Sequence, residues 1–305
     1  MNSRRHFSGY ILVLAGAALF SAKAIFIKLA YVEQADPLLM LTWRMIFSLP
    51  FFMAVGLYTL AARRQIGLPA PSLPLIARAI FIGLIGYYLA MVLDFEGLVY
   101  VTAQLERLAL FTYPFFLLFI GALFFGARLT LGHLVSAAIT YAGLACVFLA
   151  NFNGGGSNVP LGTALVLASA ITFAVYQLLA KNLIAALGSF LFTSFALSGA
   201  AVASIVQFLA VRGAGGLAAS PRFIWLAAAT GILSTVIPSF FVNAGMSRIG
   251  PQSTAMISTV SPLITIYLAV LVLGERITLI DGVGTALVFL GIGYHTWLDL
   301  RKSHS

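Results

Sequence analysis

GARLTL at residues 126–131 returns as GERITL at residues 274–279, and this near-repetition decides how the rest of the chain is read. The same shift of about 148 positions carries Gly97 onto Gly245, Gln104 onto Gln252, Pro114 onto Pro262 and Gly143 onto Gly291. A second register, shifted by about 153, lays Gly9, Phe20 and Lys28 on Gly162, Phe173 and Lys181. Two registers are needed because the connecting loops differ in length. In an apolar chain, an internal repeat of this size is the usual trace of a protein that places a substrate site between two related halves.

Composition sets the class. Of 305 residues, 61% are hydrophobic and only 8% charged, too little polar surface to coat a soluble globule of this size. Runs of about 20 apolar residues, each long enough to cross some 30 Å of hydrocarbon as a helix, recur about ten times. The expected spans are 9–30, 38–60, 75–94, 98–124 and 130–150, then 161–182, 188–211, 223–244, 251–273 and 280–299. The expectation is an all-α integral membrane protein with about ten transmembrane helices in two inverted five-helix repeats: 1–150, a Gly/Asn-rich linker at 151–160, and 161–305. Inversion follows from arithmetic, since an odd number of spans makes the second half enter from the opposite face.

A net charge of +9 suggests nucleic acid until its distribution is read. Most Arg and Lys lie in short loops, where they act as a topological signal. With the N-terminus inside, the cytoplasmic segments collect Arg4, Arg5, Arg63, Arg64, Arg78, Arg128, Lys181, Arg248, Arg301 and Lys302, against chiefly Arg212, Arg222 and Arg276 outside, together with Lys28 near a helix end. Both termini are therefore expected on the cytoplasmic side of a cell inner or plasma membrane. The first span is not read as a signal peptide, because its apolar run continues past Lys23 and its repeat partner sits mid-chain. The single Cys146 excludes a disulfide framework and a thiol-based metal site.

Several of these residues carry a resemblance. The two-fold five-helix pattern, the Pro262 helix ending in LVLGERIT at 271–278, Trp43 and Arg44 early in the second span, and AQLERLALFTYPFF at 103–116 resemble the EamA-type branch of the drug/metabolite transporter superfamily. The resemblance covers nearly the whole chain. It implies ten helices, inverted repeats, cytoplasmic termini and secondary transport or export of small metabolites; no cofactor is expected. The first half departs from the pattern: Ala127 stands where the family usually has Glu after Gly.

The chemistry is sought among charges inside the spans, each of which costs about 2.5–3.5 kcal/mol in the bilayer. Counted at about 1.5 Å per residue, Lys23, Arg44, Glu106 and Arg107 fall at one depth on three different helices. Gln104, Arg107, Phe111 and Pro114 share a helical face, and Glu106 is turned about 100° away. That face and its repeat partner through Gln252 are expected to border a central cavity, with Glu106 pairing Arg44 or Lys23 as a coupling or ion-pair group. Three cations against one carboxylate suit an anionic group on the cargo. The same residues read alternatively as an ion-pair network that only sets helix packing. Gln177, Asn243, Tyr87 and Phe111 complete the candidate lining, while most Ser and Thr read as interhelical hydrogen bonders.

Outside this layer, Asp94 and Glu96 read as interfacial, Glu275 and Arg276 as caps of a helix turn, and His133 and His295 as interfacial. Gly143, Gly282, Gly284, Gly291 and Gly293 permit close helix contact and homodimer formation. A passive channel would need a continuous polar lining, and an intramembrane enzyme would need a catalytic set; the four His form no HExxH pattern, and no nucleotide-binding signature is present. The chain is thus expected to be a secondary transporter of a small polar or anionic metabolite, not an enzyme, with lipid and cargo as partners.

Overall fold

Pro and a side-chain cap start many of these helices. Asp36 accepts from the Leu39 amide at 3.0 Å with Pro37 beginning the helix, and Ser220 accepts from Phe223 at 3.1 Å with Pro221 in the same role. Both side chains satisfy amides that the first turn leaves without partners.

The computed structural model describes residues 2–126, 129–152, 156–258 and 260–303, and every regular element among them is helical. The first half comprises α1 (Asn2–Ser21), α2 (Lys23–Glu33), α3 (Pro37–Gln65), α4 (Leu73–Gly83), α5 (Ala90–Tyr100), α6 (Ala103–Leu110), α7 (Tyr113–Phe125) and α8 (Leu131–Asn151). The second comprises α9 (Val159–Leu187), α10 (Ser189–Arg212), α11 (Pro221–Gly231), α12 (Ile237–Ser258), α13 (Ser261–Leu273) and α14 (Leu279–Ser303). Among the described residues nine segments are long and apolar enough to cross a membrane, and the shorter Ser261–Leu273 adds a tenth apolar helix.

The repeat found in the sequence is visible in the backbone. A π-helical stretch, Leu84–Leu89, joins α4 to α5, and a second, Ile232–Val236, joins α11 to α12 at the equivalent place. Gly126 and Gly274 end α7 and α13 in the left-handed region, at φ 69° and 68°. Packing follows the same two-fold rule: α1 lies on α12 as α9 lies on α5, while α3 meets α10, α6 meets α13 and α8 meets α14. The tightest crossings also pair up. A Cβ on Gly97 would stand 2.9 Å from the Gly162 carbonyl, and one on Gly245 would stand 2.9 Å from that of Gly9, its repeat counterpart.

Some boundaries differ from the sequence expectation. The first span is interrupted at Ala22, where α1 gives way to α2, and the third runs on to Tyr100 instead of ending near 94. The fourth begins at Ala103 and breaks between Leu110 and Tyr113. No connection interrupts the second half near Gly245, because α12 continues to Ser258. Ala127, Arg128 and part of the 151–160 linker lie outside the described residues, as do the side chains of Asn243 and Gln252.

Candidate functional site

Three short helices bring the buried charges together. The interruption at Ala22 makes Lys23 the first residue of α2, Asp94 sits in the middle of α5, and α6 carries Glu106 and Arg107. The Lys23 ammonium lies 2.5 Å from Asp94 Oδ2 and 3.2 Å from Glu106 Oε1. Both carboxylates are buried, Glu106 completely, and each keeps one buried oxygen without a donor, Asp94 Oδ1 and Glu106 Oε2. Burying charges is tolerable only where they pair, and Lys23 is the shared partner.

The two guanidinium groups are held differently. Among the described residues neither has a carboxylate within ion-pair distance. Arg107 donates through Nη2 to Ser261 Oγ at the start of α13, and Ser261 Oγ in turn lies 2.8 Å from Ser21 Oγ. Its Nε is buried without an acceptor. Arg44 donates from Nε to Thr235 Oγ1 at 3.1 Å, places Nη1 3.3 Å from Met91 Sδ, and lies over the Phe95 ring at 5.2 Å. Thr235 belongs to the second π-helical stretch, whose looser turn lets its hydroxyl reach back to the Thr230 carbonyl at 2.8 Å. Each guanidinium therefore makes one hydrogen bond from the first half to the second.

These groups line a cavity of about 330 Å³, which suits a small metabolite. Lys23, Arg44, Asp94 and Arg107 form its charged wall, with Ser234 and Thr235 beside them. Phe20, Tyr87, Phe111, Tyr113 and Phe173 supply an aromatic part of the same lining. Tyr87 stands edge-on to Tyr176 at 5.0 Å, and Tyr113 edge-on to Phe173 at 5.3 Å, so these rings brace one another. The charge is one-sided: positions 23, 94, 106 and 107 carry charged side chains, whereas their repeat partners are Tyr176, Val242, Thr254 and Ala255.

The structure gathers Lys23, Arg44, Arg107, Phe111 and Tyr87 at one cavity, and Glu106 pairs with Lys23, not Arg44. Gln177 is not in the lining and lies against Tyr113. Gln104 is not in the lining: although α6 was expected to show the cavity the Gln104 and Arg107 face together, the Gln104 amide turns to α14 and donates to Thr285 Oγ1 at 3.3 Å. Asp94 corrects the sequence reading outright. With α5 extended to Tyr100, it lies about 9 Å inside the helix end and is 4% exposed. His133 and His295 are likewise buried, with rings 5.4 Å apart, because α8 and α14 pack too closely to leave them at an interface. Glu275 does not cap its own turn but reaches α6, accepting from the Ala103 amide at 2.7 Å and the Gln104 amide at 3.3 Å. Burial pushes its carboxyl above the ordinary value, against the pull of those two amides.

An all-helical, multi-span membrane protein with a charged cavity at the seam of two repeats has the build of a membrane transporter. The profile of the EamA-like transporter family matches residues 7–149 and again 160–296, and the chain belongs to that family. It is 30% identical over 313 residues to a Bacillus subtilis (strain 168) protein described as the uncharacterized transporter YcbK, covering 97% of this chain and 94% of that one. A solved crystal structure at 22% identity shares the fold with a TM-score of 0.60, covering 96% of this chain and 98% of its own.

Proposed function

We propose that this protein is a secondary active transporter that exports a small metabolite bearing an anionic group, with its two five-helix halves, 1–150 and 161–305, rocking about the cavity between them. The observation that carries this reading is the pair of guanidinium groups, Arg44 and Arg107, that face a 330 Å³ cavity with no carboxylate within ion-pair distance among the described residues. In a low-dielectric cavity a guanidinium offers a forked, permanently charged site for a carboxylate or phosphate-like group. The aromatic wall supports a cargo with an apolar part. Glu106, joined by Asp94, is the proton-coupling group in this scheme, because each holds a buried oxygen that a proton would satisfy. Both termini face the cytoplasm of a cell membrane, in keeping with the loop charges.

Flux into proteoliposomes tests the reading. Saturable uptake that responds to an imposed pH gradient is expected. Flux that rises linearly with concentration and ignores the gradient would mark a passive pore instead.

A further inference from the structure

Glu275 belongs to the second half, yet its carboxylate terminates a helix of the first. Helix α6 begins at a break after Tyr100, so its first amides have no partners within the chain's own turn. Thr102 Oγ1 accepts from the Leu105 amide at 3.2 Å, and Glu275 takes the amides of Ala103 and Gln104. An anionic acceptor at a helix N-terminus is favoured by both hydrogen bonding and the helix dipole. Two and three residues beyond Gln104 on the same short helix stand Glu106 and Arg107, the groups that meet Lys23 and Ser261.

Further polar contacts tie the halves together at that end of the molecule. Arg212 pairs with Asp36, Arg222 with Glu33 at 2.9 Å, and the Asn151 amide donates to Asp281 at 2.9 Å. At the other end, polar contacts between the halves include Arg63 to the Leu187 carbonyl and Arg248 to the Ser8 hydroxyl. The Glu275 contact has no counterpart in the first repeat. Ala127 occupies the repeat position of Glu275 and carries no acceptor, and the helix it would serve needs none, because α12 runs unbroken from Ile237 to Ser258.

From this geometry we infer that Glu275 is a positioning residue that sets α6, and with it Glu106 and Arg107, and that its grip on Ala103 and Gln104 latches this end of the cavity shut. The inference rests on the alternating-access reading. Opening toward the Glu275 face requires the carboxylate to leave the two amides, so weakening the contact shifts the balance between the two access states toward that face.

A single reporter cysteine, Phe111→Cys in a Cys146→Ser background, places a thiol on the cavity wall; a membrane-impermeant charged maleimide applied from either side then reports access. Glu275→Ala is expected to raise the labelling rate from the Glu275 face relative to the opposite face by about ten-fold, the worth of one charge-assisted hydrogen bond. Glu275→Gln keeps an acceptor oxygen without the charge and is expected to give a smaller rise. A merely structural role would lower the yield of monodisperse protein without moving this ratio. Should the alanine variant not fold, the glutamine variant decides by the same ratio. If the parent reporter is reached from both faces and the ratio is unchanged in the variants, the latch is wrong and alternation stands. If the parent and every variant are reached from one face only, alternation itself fails and takes the latch with it.

Discussion

The Lys23 ammonium lies 2.5 Å from Asp94 Oδ2, joining the start of α2 to the middle of α5 inside the bilayer-spanning region. Lys23 is also the one cation in contact with Glu106 among the described residues. Removing the ammonium therefore strands two carboxylates, whereas removing one carboxylate leaves the other in place.

The first expectation is an unequal double-mutant cycle. Lys23→Met should cost about 3–5 kcal/mol, the usual penalty for leaving a buried charge alone, and Asp94→Asn less. Combined, they should be milder than their sum, because the amide no longer needs the ammonium. Unfolding in mild detergent, followed by intrinsic fluorescence, measures the cycle; strict additivity would show that the contact carries no coupling.

Coupling is tested at Glu106. Its Oε2 is buried with no donor, and Glu106→Gln removes the site for a proton while preserving shape and the acceptor toward Lys23. Cargo exchange between equal compartments should survive, and acceleration by a pH gradient should vanish. Gradient-driven flux at the parent rate would remove Glu106 from the coupling scheme.

Thr235 tests the reach of the second half into the charged wall. Thr235→Val deletes the acceptor for Arg44 Nε with little change in volume. Loss of a hydrogen bond to a charged group, about 1.5–3 kcal/mol, should free Arg44 to shift in the cavity. The apparent cargo affinity should fall about ten-fold or more, with the maximal rate less affected. An unchanged concentration dependence of flux would show that the Arg44 position is set elsewhere.

Gly143 and Gly282 give a packing contrast. A Cβ on Gly143 would stand 2.5 Å from the Gly284 carbonyl, while one on Gly282 would meet nothing within 4 Å. Gly143→Leu should thus separate α8 from α14, costing at least the 1–3 kcal/mol typical of overpacking, and Gly282→Leu should be near neutral. Thermal melting of the two purified variants compares them directly.

The repeat was legible because it is written in residue identities: GARLTL and GERITL lead straight to the matching left-handed glycines at 126 and 274. The depth of Lys23, Arg44 and Arg107 was legible too, since apolar span length sets it. Asp94 was hidden by a misplaced helix end, six residues short of Tyr100, which moved a buried ion pair to the interface. Thr235 was hidden because a π-helical turn has no residue signature that separates it from the α-helix around it. The Glu275 contact spans 172 positions, and nothing local announces which amides it serves. Gln104 misled for a related reason. It stands one turn from Arg107 on α6, yet its amide bonds Thr285 on α14, a partner that the spacing to Arg107 does not reveal.

Arg107 is the residue on which the transport account turns, and a thermal-shift screen of purified protein tests it most directly. The parent and Arg107→Ala would be melted against neutral amino acids, carboxylates, phosphorylated compounds and cationic drugs. The expected result is stabilisation of the parent by one anionic class, lost in a variant that is folded and unchanged in oligomeric state. Stabilisation by neutral or cationic compounds that survives Arg107→Ala would contradict it, and would reduce the buried charges to scaffolding between helices.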